Sequence, residues 1–132
     1  MKKEDIFKLT GSARDPVRDN DKILANLHYT HFFLMEKYKA LLTPLQLTLP
    51  QSNVLSIVDF FGPAGASLAQ IKEMVLEPNS DASRTVSRLV EKGFVEKVPN
   101  PANRRKVTIR ATTAGSNILN RMVSKKLFEH FT

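Results

Sequence analysis

Cysteine and tryptophan are both absent from the 132 residues, and tyrosine occurs only twice. Without thiols there is no disulfide framework, no thiolate metal centre and no switching by thiol oxidation. Glycine is scarce at five, and none belongs to a phosphate-cradling loop. Nothing approaches the ~20 consecutive apolar residues that span a bilayer. Residues 1 to 20 carry an early basic pair but neither a continuous apolar run nor a small-residue cleavage site, so no secretory signal is expected and a reducing, cytoplasmic setting fits. No nucleophile motif and no carboxylate pair that a fold would join is evident, so neither an enzyme nor a cofactor is expected. What remains is ordinary for one globular domain: 42% hydrophobic and 25% charged residues, enough to bury a core.

Acidic residues are scarce where basic ones gather. Residues 80 to 110 hold eight cations (Arg84, Arg88, Lys92, Lys97, Arg104, Arg105, Lys106 and Arg110) against Asp81, Glu91 and Glu96, so +5 of the net +7 lies in under a quarter of the chain. Clustered positive charge suits a polyanion, either nucleic acid or an anionic membrane. A merely solvated basic face is the reading that charge alone leaves open.

The chain pattern sharpens this. Residues 20 to 42, NDKILANLHYTHFFLMEKYKALL, predict one long helix, with Asp15 as a candidate cap and Pro16 in the first turn. Leu24, Leu27, Leu34, Tyr38 and Leu41 follow helical spacing, while Ile23, Phe32, Phe33, Met35 and Leu42 widen the apolar face. A helix apolar over so much of its circumference needs cover from more than one side, and a second chain could supply part of it. Thr48 and Gln51 then have capping-box spacing before a helix whose expected inner face is Val54, Leu55, Val58 and Phe61, stopped by Gly62 and Pro63. Ser67 and Gln70 repeat the device, with Leu68, Ile71 and Val75 inward and Pro78 as the stop.

NSDASRTVSRLVEKGF predicts a further helix, capped by Ser80 or Asp81 and closed by Gly93. Ala82, Val86, Leu89 and Val90 would form its buried stripe, which turns Ser83, Arg84, Thr85, Ser87 and Arg88 outward. A face of small hydroxyls and arginines can approach a phosphate backbone and reach base edges. FVEKV and KVTIR alternate as half-buried strands around a loop at 99 to 104. Thr112 or Thr113 then caps a last helix with Ile118, Leu119, Met122, Leu127 and Phe131 apolar.

That order predicts a mostly α fold with a small β-hairpin wing, a winged helix-turn-helix flanked by helices at both ends. The segment from Thr48 to Gly115 resembles the MarR family of bacterial transcription regulators. The resemblance rests on LTLPQSNVL, on SRTVSRLVEKGFVEK, and on NRRKVTIRATTAG, which is close to the family's wing signature. Two positions depart from that signature: its Asp is Asn103 here and its Leu is Ala111. In the family the Asp steadies the wing Arg, so Asn103 is expected to accept from Arg105 without a charge-assisted contact.

The resemblance implies a single domain over 1–132, with 15–42 and 112–132 as dimerisation helices and 48–111 as the DNA-binding lobe. It implies a homodimer that binds double-stranded DNA at inverted repeats, as a repressor relieved by a small aromatic or anionic ligand, with no membrane partner. Ser83, Arg84, Thr85, Ser87 and Arg88 would meet the major groove, and Asn103, Arg104 and Arg105 the minor groove. Ile23, Leu27, Leu127, Phe128 and Phe131 are candidates for the dimer interface. The chain ends at Thr132, one helix before family members usually end, so a weaker dimer is expected. His31, Met35 and Tyr38 are candidates for an effector pocket, with plain packing as the competing reading for aromatics on a long helix. His28 and His31 have a spacing that can hold a metal, but Glu36 is the one nearby third ligand, so ordinary histidines and no metal are expected. From a different class, a winged helix engaging an acidic protein partner would use the same basic face.

Overall fold

The structure is a computed structural model, and it describes residues 19–124. The chain divides into two compact units between Ala40 and Leu41. The described part of the first is helix α1, Asp19–Leu42, which runs on to open the second. Its 24 residues contain no Pro or Gly, so nothing interrupts a rod of about 36 Å. The expected cap at Asp15 lies outside the described residues. Along α1, Tyr29 stacks on Phe33 at 6.3 Å between centroids, and the Lys37 ammonium sits 5.5 Å over the Phe33 ring. These are i, i+4 steps, the spacing at which helix side chains meet.

The second unit carries the core. After α1 a short 3-10 turn, Thr43–Leu45, brings the chain to Gln46 in the left-handed conformation (φ 57°). Helix α2, Leu49–Phe60, starts on the expected capping box: the Gln51 amide donates to Thr48 Oγ1 (3.3 Å) and the Thr48 amide to Gln51 Oε1 (3.2 Å). Such caps contribute about 0.5–2 kcal/mol each. α2 is the hub of the lobe, in contact with every other helix of the unit that follows it and with the hairpin. Val54, Leu55, Ile57, Val58 and Ser52 are buried, and the Ser52 hydroxyl is satisfied by donating to Leu49 O (2.9 Å). Phe61, expected inside, is only half-buried. It falls one residue past the helix, edge-on to the exposed Phe60 (5.7 Å), and Ile57 takes the inner position instead.

Gly62 turns the chain at φ 63°, and Ala66 then pairs with Ile109 through two backbone bonds of 2.8 Å. Gly65 is required by that approach: a Cβ there would stand 2.5 Å from Thr108 Cγ2 and 2.7 Å from Ile109 O. Helix α3, Leu68–Met74, has the second capping box, Ser67 with Gln70 (3.1 and 2.9 Å). It ends well before Pro78, contrary to expectation, and Val75 is extended and half-buried. The reason is non-local. The Leu76 amide, which a continuing helix would turn inward, donates to Asn53 Oδ1 on α2 (3.0 Å).

Helix α4, Ala82–Glu91, is capped by Asp81, whose carboxylate accepts from the Arg84 amide (3.0 Å). Ser80 is committed elsewhere, its hydroxyl donating to Glu77 O (2.7 Å). Ala82, Val86 and Leu89 are buried, but Val90 is 37% exposed, so the inner stripe is narrower than expected. Gly93 closes the helix at φ 77°. Strands β1, Val95–Asn100, and β2, Asn103–Ala111, form an antiparallel hairpin. The strands run further than the expected loop at 99 to 104 allowed, leaving Pro101 and Ala102 as the turn. Asn100 makes this possible by accepting the Ala102 amide on its Oδ1 (2.9 Å). Helix α5, Thr113–Ser124, is capped by Thr112, whose Oγ1 accepts from the Gly115 amide (3.1 Å), and Ile118 and Leu119 enter the core.

Candidate nucleic-acid interface

The face of α4 is set by its buried stripe. Ser83, Arg84, Ser87 and Arg88 are exposed as expected, while Thr85 flanks Val86 and is half-buried. Both hydroxyls of the second turn bond back to the helix: Thr85 Oγ1 donates to Asp81 O (2.9 Å) and Ser87 Oγ to Ser83 O (3.1 Å). Their protons are committed, so toward a ligand these two side chains present acceptor lone pairs and small volume. Arg88 Nη1 pairs with Glu91 Oε2 at 3.2 Å across one helical turn. An exposed pair of this kind contributes little and is readily exchanged for a stronger partner. Arg84, Thr85 and Arg88 line an open groove of about 330 Å³ together with Thr48, Pro50 and Gln51, so the start of α2 borders the exposed face of α4.

The hairpin places its charge by register. Pro99 pairs with Val107, while the adjacent Asn100 pairs with Asn103. Arg104, Arg105 and Lys106 therefore stand in β2 with no counterparts in β1, a bulge made of consecutive cations. The Arg104 side chain lies outside the description; Arg105 and Lys106 are exposed. Asn103 does accept from Arg105, but through the backbone amide (Oδ1 to N, 3.1 Å) rather than the guanidinium. It shapes the backbone from which Arg105 projects. At the base of the hairpin Glu96 and Arg110 are register partners, and Arg110 Nε donates to Glu96 Oε1 at 2.5 Å.

Two members of this surface were not singled out from the sequence. Lys106 belongs to the bulge with the two arginines, which no local pattern reveals because register depends on the partner strand. Glu91 restrains Arg88, and its i, i+3 spacing was the available signal.

The remaining candidates lie on α1. Ile23 and Leu27 are 57% and 62% exposed, His31 is exposed, and Met35 and Tyr38 are half-buried on the same helical face as His31. Leu127, Phe128 and Phe131 lie outside the described residues. Among the described residues no three metal-ligating side chains come together, and no helix is long and apolar enough to cross a membrane.

Residues 45–106 match the family model for the MarR family. The multiple antibiotic resistance protein MarR of Escherichia coli (strain K12) is 31% identical over 94 residues, 69% of this chain and 64% of that protein. The chain belongs to the MarR family. The HTH-type transcriptional repressor IacR of Pseudomonas putida is 28% identical over 119 residues, 89% of this chain and 70% of that repressor. The chain thus spans about two thirds of the length of these two curated relatives. A crystal structure of a mutant MarR from E. coli complexed with operator DNA has the same fold, with a TM-score of 0.71 at 26% identity over 89% of this chain and 85% of that one. The mostly helical fold with its two-stranded wing is that of the MarR family. Within it, Asn103 and Ala111 replace the signature's Asp and Leu, and the structure gives each a place: Asn103 at the bulge, Ala111 paired with Val95 at the wing's base.

Proposed function

We propose that this chain is a sequence-specific, double-stranded-DNA-binding transcription regulator, a homodimer that represses from inverted-repeat sites in the cytoplasm. The observation that carries the reading is the joint presence, on one lobe, of an arginine- and hydroxyl-faced α4 and a hairpin with three consecutive cations bulging from its ladder. A major groove admits α4, where Arg84 and Arg88 can offer paired donors to the O6 and N7 of guanine. Arg105, with Arg104 beside it, suits the narrow, strongly negative minor groove. The operator-bound MarR relative supports this assignment by fold and by identity. Ile23 and Leu27, with Leu127, Phe128 and Phe131, supply apolar surface for pairing two copies, so that two α4 helices meet half-sites about 34 Å apart.

Regulation follows from the same design. A small aromatic or anionic ligand that engages His31, Met35 and Tyr38 relieves repression by favouring one arrangement of the dimer, since only differential affinity shifts such an equilibrium. The deciding experiment is selection of bound sites from a random duplex pool, followed by titration of the winning site against salt. Enriched inverted repeats with a steep salt dependence are expected. No enrichment, with salt-insensitive binding to duplexes and tight binding to an acidic protein surface, refutes the reading.

A further inference from the structure

Lys92 counts among the eight cations of the basic stretch, yet its ammonium is already engaged within the lobe. Nζ donates to the backbone oxygen of Gln46 and to Gln51 Oε1 (2.8 Å), partners 46 and 41 residues away in sequence. Gln51 Oε1 also receives the Thr48 amide in the capping box of α2. Gln46, in turn, is the non-glycine residue at positive φ that ends the turn leading into the lobe. Lys92 itself is the C-cap of α4, its amide bonded to Arg88 O and Val90 O. One side chain therefore joins the last turn of α4 to the first turn of α2 and to the bend before it.

We infer that Lys92 is a positioning residue and not a phosphate contact: its ammonium clasps the end of the DNA-reading helix to the start of α2 and so fixes the angle at which α4 is presented. Two of its three N–H donors are spent on oxygens held by backbone geometry, one of them a carbonyl and one a side chain already pinned by a cap. Turning to a phosphate would leave both oxygens without that donor and free the α4 terminus. The groove bordered by Arg84, Arg88 and Gln51 lies between the two helices that the clasp joins, so a change in their angle alters the reading face. The consequence for DNA rests on the proposed function; the clasp itself does not.

The test separates the two. Lys92→Met keeps the aliphatic stem and removes the donors. Gln51→Glu keeps an acceptor for the Thr48 amide, Glu being the usual third residue of a capping box, and adds a charge facing Lys92. In urea unfolding of the full chain, Gln51→Glu raises the midpoint when Lys92 is present and loses most of that gain in Lys92→Met. Any benefit from a carboxylate at a helix start survives in both backgrounds and cancels from the cycle. On DNA, Lys92→Met weakens a selected site about two- to tenfold, the weight of one ordinary hydrogen bond, while random-duplex affinity and the salt slope stay level. A slope reduced by about 0.9 per subunit, with equal loss on both duplexes, assigns Lys92 to a phosphate and overturns the inference. Additive effects of Lys92→Met and Gln51→Glu on unfolding overturn it equally. If the native chain binds no duplex, the proposed function fails, and the unfolding cycle still decides the clasp.

Discussion

Gly115→Ala sets helix propensity directly against packing. Gly115 occupies the first turn of α5, where alanine is favoured over glycine by about 1 kcal/mol in a helix interior. Against that, a Cβ at this position would stand 2.1 Å from Phe94 O, 3.0 Å from Phe94 C and 3.2 Å from Leu55 Cδ1. The first distance is more than an ångström short of an ordinary carbon–oxygen contact, and its other party is backbone, which cannot rotate away. Phe94 O also accepts the Thr112 amide at 3.0 Å, so moving it loosens the cap of α5 as well. Overpacking costs about 1–3 kcal/mol, and a weakened hydrogen bond adds about 0.5–1.5 kcal/mol. The steric side wins, and we expect a net loss of about 1–3 kcal/mol after the propensity gain is subtracted. In urea that lowers the midpoint by roughly 1 M for an ordinary slope. Ala114→Gly, at an exposed position of the same turn, supplies the propensity cost alone. Stabilisation of Gly115→Ala by about 1 kcal/mol would mean that the α5 turn does not press on Phe94, and the reasoning fails.

Other outcomes follow from the bulge and the caps. Arg105→Ala should weaken a selected site by about 1–3 kcal/mol and flatten the salt slope by about one contact, and an unchanged affinity would remove Arg105 from the interface. Asn103→Asp keeps the acceptor for the Arg105 amide, so hairpin geometry is retained and DNA affinity should stay level or rise slightly; a loss above tenfold would show the added charge dominating. Thr48→Ala removes the acceptor for the Gln51 amide and should cost about 0.5–2 kcal/mol, read as a fall in Tm; no change would mean that water replaces the cap at no cost.

What could be read from the sequence was what is decided locally. Both capping boxes are three-residue devices, and each has the expected bonds. The choice between Ser80 and Asp81 was open because either could cap; the Arg84 amide, which donates to Asp81 Oδ1, settles it. Val90 was placed inside by continuing a helical stripe, but the buried stripe of α4 is Ala82, Val86 and Leu89, and Val90, one residue round from the fully buried Leu89, is 37% exposed. The end of α3 was assigned to Pro78, whereas an asparagine on another helix stops it earlier. The cation bulge and the Lys92 clasp lie at the far end of the same scale. Both depend on residues brought close by folding, so charge counting saw the residues without their partners.

That difference changes what the charge of this surface predicts. All eight cations between 80 and 110, if each neutralised one phosphate, would give a salt slope of about −7 per subunit, at about −0.9 for each contact. Lys92 is engaged by Gln46 and Gln51, Arg110 is paired with Glu96, and the proposed function gives Arg84 and Arg88 to base edges. Four cations remain, and they bound this stretch at about −3.6 per subunit. The Glu96–Arg110 pair is the place to test it, because it sits at the base of the hairpin, away from the bulge, and holds Arg110 Nε on a register partner. Glu96→Gln leaves that pairing with a neutral acceptor and frees the guanidinium for phosphate. The slope should then steepen by up to about 0.9 per subunit, with a gain in affinity that is largest at low salt. Arg110→Met in the native background should leave the slope where it was. A slope that flattens in Arg110→Met and does not move in Glu96→Gln would place Arg110 on the DNA already, and the base of the wing would belong to the interface along with its tip.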